Sequence, residues 1–416
     1  MHLVFDISLT VAKPWLAYPP SGIDRVEFAH ARHWARLPER DVTFVMRNAW
    51  DRLAAIPDGL ARDIIAMASA RLAPGLGHRD PALRLRPAAV MTRQFFGEGR
   101  VRLRRRVEGR RDAVLLTVSN ASTHKHAALA AVKAAGCRFV PLVHDVIPLT
   151  HPHTVPAGED ARHARRMEGV SRFADAALVV SAAARDAMAE AFAARGWRLP
   201  PLTVAHPGLD LPEAAAPAAA ADPDPYFVIL GSVEPRKNHA LLLELWARMA
   251  RAPGCPRLLV IGRRPAEPHT GTALLDRGAF HGRVENLGRL PDAAAARLLH
   301  GARALLFPSL SEGFGIPVAE ALAMGVPVLA SDIPAFREVG GEVPEFLDPL
   351  DGPGWQAMVR DYAQPDSVRR AAQLTRVKQW QAPTWALHFR QAEALLDSIS
   401  NGSGIADAPH DMSHRR

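Results

Sequence analysis

Two short stretches of this 416-residue chain combine residue types able to hold an anion beside a polyol. The first is GSVEPRKNH (231–239). Gly231 and Ser232 give a tight exit from an apolar run, Arg236 and Lys237 stand side by side after Pro235, and Asn238 can cap a helix from about His239. Adjacent cations and the free N–H groups of a helix N-terminus make a diphosphate site, each charge-assisted hydrogen bond being worth about 1.5–3 kcal/mol. The same residues also fit a capped surface helix with two solvated cations.

The second stretch is SLSEGFGIPVAEAL (309–322), with Glu312 and Glu320 eight positions apart. Gly313 and Gly315 let the backbone approach a ligand closely, and the N–H groups running through Phe314 and Ile316 suit an anion. Glu320, expected in the first turn of the following helix, could accept a pair of ribose hydroxyls, and Glu312 a second set. An acid that complements the helix dipole accounts for Glu320 but leaves Glu312 and the glycines without a reason.

Such residues need strand ends to carry them. Short aliphatic runs alternate with Ala-rich helical stretches, the pattern of parallel sheets with crossover helices. Strands are expected at 3–7, 42–47, 113–118, 138–144, 177–181 and 202–205, with helices such as 24–37 and 123–135 between them. After LPEAAAPAAAADPDP (211–225), read as a linker, strands follow at 226–230, 257–261, 284–287, 304–307 and 326–330, and helices at about 239–250, 292–300 and 318–324. The expected α/β architecture is two Rossmann-like domains facing across a cleft: 1–210 on the acceptor side and 226–383 on the donor side. Helix 384–399 would cross back to the first domain, and 400–416 is a polar tail expected to be disordered. Ligands of such sheets bind beyond the carboxyl ends of the strands.

Composition narrows the classes. Hydrophobic residues make up 48%, and no apolar run approaches the roughly 18–20 residues that span a bilayer. MHLVFDISLT reads as a first strand rather than a secretion signal. Cys137 and Cys255 offer neither a disulfide framework nor zinc spacing, in keeping with a reducing cytoplasm. Residues 1–210 hold 30 Lys and Arg against 20 Asp and Glu, while the remainder holds 21 against 23. Much of the excess lies in RVRLRRRVEGRR (100–111), which suits either a solvated face or attraction to anionic lipid. Aromatic residues are only 6% and none interleave with these arginines, so nucleic acid is not an expected partner. Asp222-Pro223-Asp224 spells D-x-D but lacks a preceding strand, and no other cluster has metal-ligand spacing. No metal and no cofactor are expected.

ALLFPSLSEGFGIPVAEALAMGVPVLASD (304–332), with GSVEPRKNH and VENLGRLPDAAAARLLHGA (284–302) before it, resembles the donor site of family 4 retaining glycosyltransferases, which have the GT-B fold. Upstream, PPSGIDRVEFAHA (19–31) resembles that family's glycine loop, whose backbone near Gly22 approaches the donor phosphates; where members often have two glycines, this chain has Ser21-Gly22. PLVHDVIPLTHP (141–152) resembles a stretch of polysaccharide-building members, including mannosyltransferases, and would give His144 a sugar-contacting role.

The resemblance implies a nucleotide diphosphate sugar donor, with GDP-mannose favoured over a UDP- or dTDP-sugar, and transfer with retention of configuration. Arg236 and Lys237 would stabilise the leaving diphosphate, Glu320 would hold the ribose and Glu312 the donor sugar. The implied acceptor is a saccharide or lipid-linked saccharide in surface polysaccharide synthesis, reached in the cytoplasm at the inner face of the membrane, with the basic first half against anionic lipid. A phosphorylase or epimerase of the same architecture, or a non-catalytic nucleotide-sugar-binding protein, are the alternatives. An NAD-dependent oxidoreductase is disfavoured by the lack of G-x-G-x-x-G after any strand.

Overall fold

The computed structural model describes residues 1–12, 21–47, 52–72, 98–119, 123–211, 224–265 and 267–402. Most of the expected linker, Asp222 and Pro223 of the D-x-D string, and most of the expected tail lie outside them. The first half builds one sheet from β1 (His2–Asp6), β2 (Val42–Arg47), β3 (Leu53–Ala55), β4 (Ala113–Thr117), β5 (Arg138–Val143), β6 (Ala177–Val179) and β7 (Leu202–Val204), in the order β3-β2-β1-β4-β5-β6-β7. All pairs are parallel except β2 with β3, which run antiparallel with Val45 opposite Ala55. The second half builds a parallel sheet from β8 (Tyr226–Leu230), β9 (Arg257–Ile261), β10 (Val284–Gly288), β11 (Leu305–Phe307), β12 (Val328–Ser331) and β13 (Glu345–Leu347), in the order β10-β9-β8-β11-β12-β13. The central strands β1, β4 and β11 are buried along their whole length, as helices on both faces of a parallel sheet require.

Sequence and structure differ in instructive places. The three-residue strands β3 and β13 are too short to show a period. The arginine-rich stretch is a helix, Glu98–Val107, whose exposed face carries the charge: Arg104 pairs with Glu108 and Arg106 with Glu39. Asp224 is engaged with Arg283 at 2.9 Å and Arg257 at 3.4 Å, an ion-pair cluster at the foot of the second sheet.

The last helix, Trp385–Asn401, crosses back as expected and runs slightly further than expected, to Gly402 in a left-handed C-cap. Phe389, Ala392, Leu395, Leu396 and Ile399 are buried, and Phe389 stacks on His33 of the first half at 3.7 Å between ring centres. A buried polar chain fixes its register. Trp34 Nε1 donates to His30 Nδ1 at 3.1 Å, so His30 carries its proton on Nε2 and donates it to His388 Nε2 at 2.7 Å. His388 Nδ1 in turn donates to the carbonyls of Ala205 and His206, both at 3.1 Å. Every donor has an acceptor only if both imidazoles are neutral. Burial, and the proximity of each ring to other histidines, lowers both pKa values, that of His388 to about 4.

Candidate active site

The carboxyl ends of β8 and β11 bring the two sequence stretches together. Beyond β8, the chain turns through Gly231 and Ser232 into a 3-10 turn, Pro235–Lys237, and then the helix His239–Met249. Asn238 does precede that helix, but in a left-handed conformation (φ 53°), and its side chain donates to the carbonyl of Pro349 rather than capping. The two cations are not solvated. Lys237 is buried, its ammonium lies 4.6 Å from the centre of the Phe307 ring, and it donates to Glu312 Oε1 at 2.7 Å. Arg236 places Nη1 2.9 Å from Glu312 Oε2, an ion pair rather than an aligned hydrogen bond, and its Nε donates to Glu234 at 3.1 Å. Ser309 completes the set by donating to Glu312 Oε1 at 3.1 Å.

This triad of two cations and one carboxylate explains why the acid must be there. Burial alone would raise the Glu312 carboxyl, but Arg236 and Lys237 outweigh it and hold the group at about 2. With Glu234 also on Arg236 the cluster is balanced in charge, and it stands at a strand end beside the N–H groups that open the helix Ile316–Ala323. Glu312, expected to face sugar hydroxyls, instead has both oxygens turned to the cations.

Gly315 caps that helix with φ 102°, a conformation that strains any residue with a Cβ, and Pro317 fits its first turn. Glu320 is therefore the fifth helical residue, not part of the first turn, so dipole complementation does not account for it. It is deeply set, and burial raises its pKa although Arg25 opposes this. Phe314 is buried and stacks on His206, so it contributes backbone rather than ring to the site.

Residues of the first half reach the same place. Ser21 caps the helix Gly22–Trp34 in a reciprocal box with Asp24, which gives a physical reason for a serine where a second glycine was expected. A Cβ on Gly22 would lie 3.3 Å from Ile316 Cδ1, so the amino ends of the two helices meet. His144 follows β5, donates Nε2–H to the carbonyl of Val118 at 2.8 Å, and is neutral through burial. Its carbonyl abuts Gly313, where a Cβ would come within 2.2 Å of it. Ser181 Oγ donates to the carbonyl of Gly313 at 2.5 Å.

Two cross-cleft residues escaped the sequence reading. Arg25 donates to Glu320 at 3.2 Å and Asp292 at 2.8 Å. Glu338 accepts from the N–H groups of Ala182 and Ala183, at 2.6 and 2.9 Å, and pairs with His206 at 2.6 Å. Arg25 had a faint signal, standing one turn after Gly22; Glu338 had none.

Residues 224–354 match the family model of glycosyl transferases group 1. The match covers 131 of the 416 residues and lies within the second half of the chain. Among curated relatives, the O-antigen chain mannosyltransferase B of Escherichia coli is 32% identical over 161 residues, 38% of this chain and 42% of that protein. The phosphatidyl-myo-inositol mannosyltransferase of Mycobacterium tuberculosis is 35% identical over 127 residues, 30% of this chain and 32% of that protein. The chain thus spans less than half the length of the curated relatives it matches. Solved structures extend the likeness to both halves. Anabaena Alr3699/HepE in complex with UDP aligns with TM-score 0.62 at 14% identity, covering 96% of this chain and all of that one. Sucrose-phosphate synthase from Thermosynechococcus elongatus aligns with TM-score 0.63 at 17% identity, covering 97% and 100%. The fold is GT-B, and the Arg236–Lys237–Glu312 triad lies inside the segment that matches the family model. Among the described residues no group of three or more His, Cys, Asp or Glu side chains could hold a metal ion, and no helix is long and apolar enough to cross a membrane.

Proposed function

We propose that the chain is a retaining, metal-independent glycosyltransferase that moves a sugar from a nucleotide diphosphate sugar to a saccharide or lipid-linked saccharide of a surface polysaccharide. The observation that carries this reading is the triad. Buried Lys237 and partly exposed Arg236, aligned by Glu312 at a strand end beside a helix N-terminus, suit a diphosphate whose charge grows as it leaves. Interactions that strengthen as charge develops lower the barrier instead of only tightening binding. In this reading Arg236 and Lys237 take the diphosphate with the backbone from Gly313 to Ile316 and the turn at Gly231 and Ser232. Glu320 takes the ribose and Gly22 lies against the phosphates. Glu312 aligns the cations and reaches the sugar only when the diphosphate draws them away. His144, neutral and at the cleft edge, contacts a sugar hydroxyl.

Mannosyltransferase names among the relatives favour GDP-mannose as donor; the UDP bound to the Anabaena neighbour keeps a UDP-sugar as the second choice. Calorimetry with GDP, UDP and dTDP ranks the bases, and binding of none would remove the donor-site reading. The double variant Arg236→Ala, Lys237→Ala should retain the fold and lose transfer. Turnover with GDP-mannose should persist in EDTA; a requirement for manganese would overturn metal independence. The anomeric configuration of the product, read by NMR, tests retention.

A further inference from the structure

Between the helices Glu98–Val107 and His126–Ala134, the face of the first sheet lies over an open slot of about 700 Å³. Protein interiors are packed to crystal-like density, and a space of this size belongs to the range of ligand sites. The slot has a direction. Each helix starts towards the carboxyl edge of the sheet and descends to the strand that follows it, β4 or β5. At the carboxyl edge stand Lys125, which opens one helix, and Arg52, which precedes β3 where Leu53 pairs with Arg47. Arg100, in the first turn of the other helix, adds a third cation near that end. Leu103, Leu115 and Ala131 form apolar walls, and the far end closes on Val107 and Cys137, both buried. Burial pushes the Cys137 thiol up to about 12, and Arg104, one turn before Val107 in the lining, is paired with Glu108.

A lining with cations at one end and hydrocarbon along its length matches an amphiphile with an anionic head. The mouth also opens on the edge that carries His144, whose ring is bonded to Val118 in the loop leading to Lys125. By composition, residues 73–97, with four arginines and one aspartate, are a poor match for a lining with cations at one end. We propose that this slot binds a lipid phosphate, with the hydrocarbon chain between the two helices and the phosphate on Arg52, Arg100 and Lys125. Identifying that lipid with the carrier of the saccharide acceptor rests on the proposed function; the binding itself does not.

The test uses the full chain and farnesyl phosphate as probe, with inorganic phosphate and farnesol as controls for head and tail. Farnesyl phosphate should bind about tenfold or more tightly than either control, since the chain is withdrawn from water. Ala131→Trp, which fills the slot, and Arg100→Glu, on an exposed position, should each weaken it by about tenfold while leaving nucleotide binding in the cleft unchanged. Arg100→Glu should melt with the parent and so keeps the test valid if the tryptophan variant misfolds. Equal binding of farnesyl phosphate and inorganic phosphate, or indifference to both substitutions, would overturn the proposal. So would sedimentation with phosphatidylglycerol vesicles that neither substitution alters, with no binding of the single lipid. Nucleotide binding without lipid binding sinks the slot alone; lipid binding without nucleotide binding sinks the donor-site reading alone.

Discussion

Replacing Glu312 with glutamine keeps the shape of the triad and removes its only negative charge. Buried Lys237, 2.7 Å away, then loses its counter-ion, and Arg236, 2.9 Å away, keeps Glu234 alone. The cost follows from the carboxyl itself. Folding lowers its pKa from 4.5 to about 2, which at about 1.4 kcal/mol per pH unit makes the charged form worth about 3 kcal/mol at neutral pH. Breaking a buried pair on one side costs about 3–5 kcal/mol, so two routes agree. Urea unfolding at pH 7 should therefore show Glu312→Gln less stable by about 3 kcal/mol. The loss should shrink when Lys237→Met is combined with it, because one stranded cation is then gone. Saturating GDP or UDP should stabilise Glu312→Gln more than the parent, since a diphosphate supplies the missing anions. A loss below about 1 kcal/mol, or the same loss in the Lys237→Met background, would refute the reasoning.

The His30–His388 chain makes a pH prediction. Both rings are neutral when folded and take protons when unfolded, so their contribution is complete above pH 6.5 and is lost as pH falls towards about 4. Relative to His388→Gln, the parent should lose up to about 3 kcal/mol across that window in pH-resolved unfolding, and parallel curves would contradict the assigned tautomers. Gly313→Ala should leave each half folded, yet lower transfer by at least about tenfold and raise the radius of gyration in solution scattering. The added Cβ would collide with the His144 carbonyl at 2.2 Å; an unchanged radius would show that the approach is not needed.

The sequence revealed both cation and acid stretches because each is local: a strand end, a glycine turn, a helix start. It did not reveal their partners. Lys237 and Glu312 are 75 positions apart and Arg25 and Glu320 are 295 apart, and no short-range pattern announces such pairs. The assignment of Glu320 to a first turn failed for a related reason. Where a helix begins depends on the left-handed Gly315, and Phe336, 21 positions on, packs where a Cβ at that residue would sit. The parallel sheets were legible from alternation, whereas β3 and β13 exist only because a neighbouring strand offers them a ladder.

The polypeptide passes between the two halves twice, once between residues 211 and 224 and again at 378–384. The first passage leaves the first half where the second returns to it: a Cβ on Gly208 would sit 2.2 Å from the backbone nitrogen of Trp385. A joint with one connection swivels freely, but a joint with two abutting connections bends about a single axis and resists torsion. Parting the two halves would separate Gly22 from Ile316 while Gly208 and Trp385 stay together. Cutting the chain after residue 378 would release that constraint and turn a guided hinge into a loose tether.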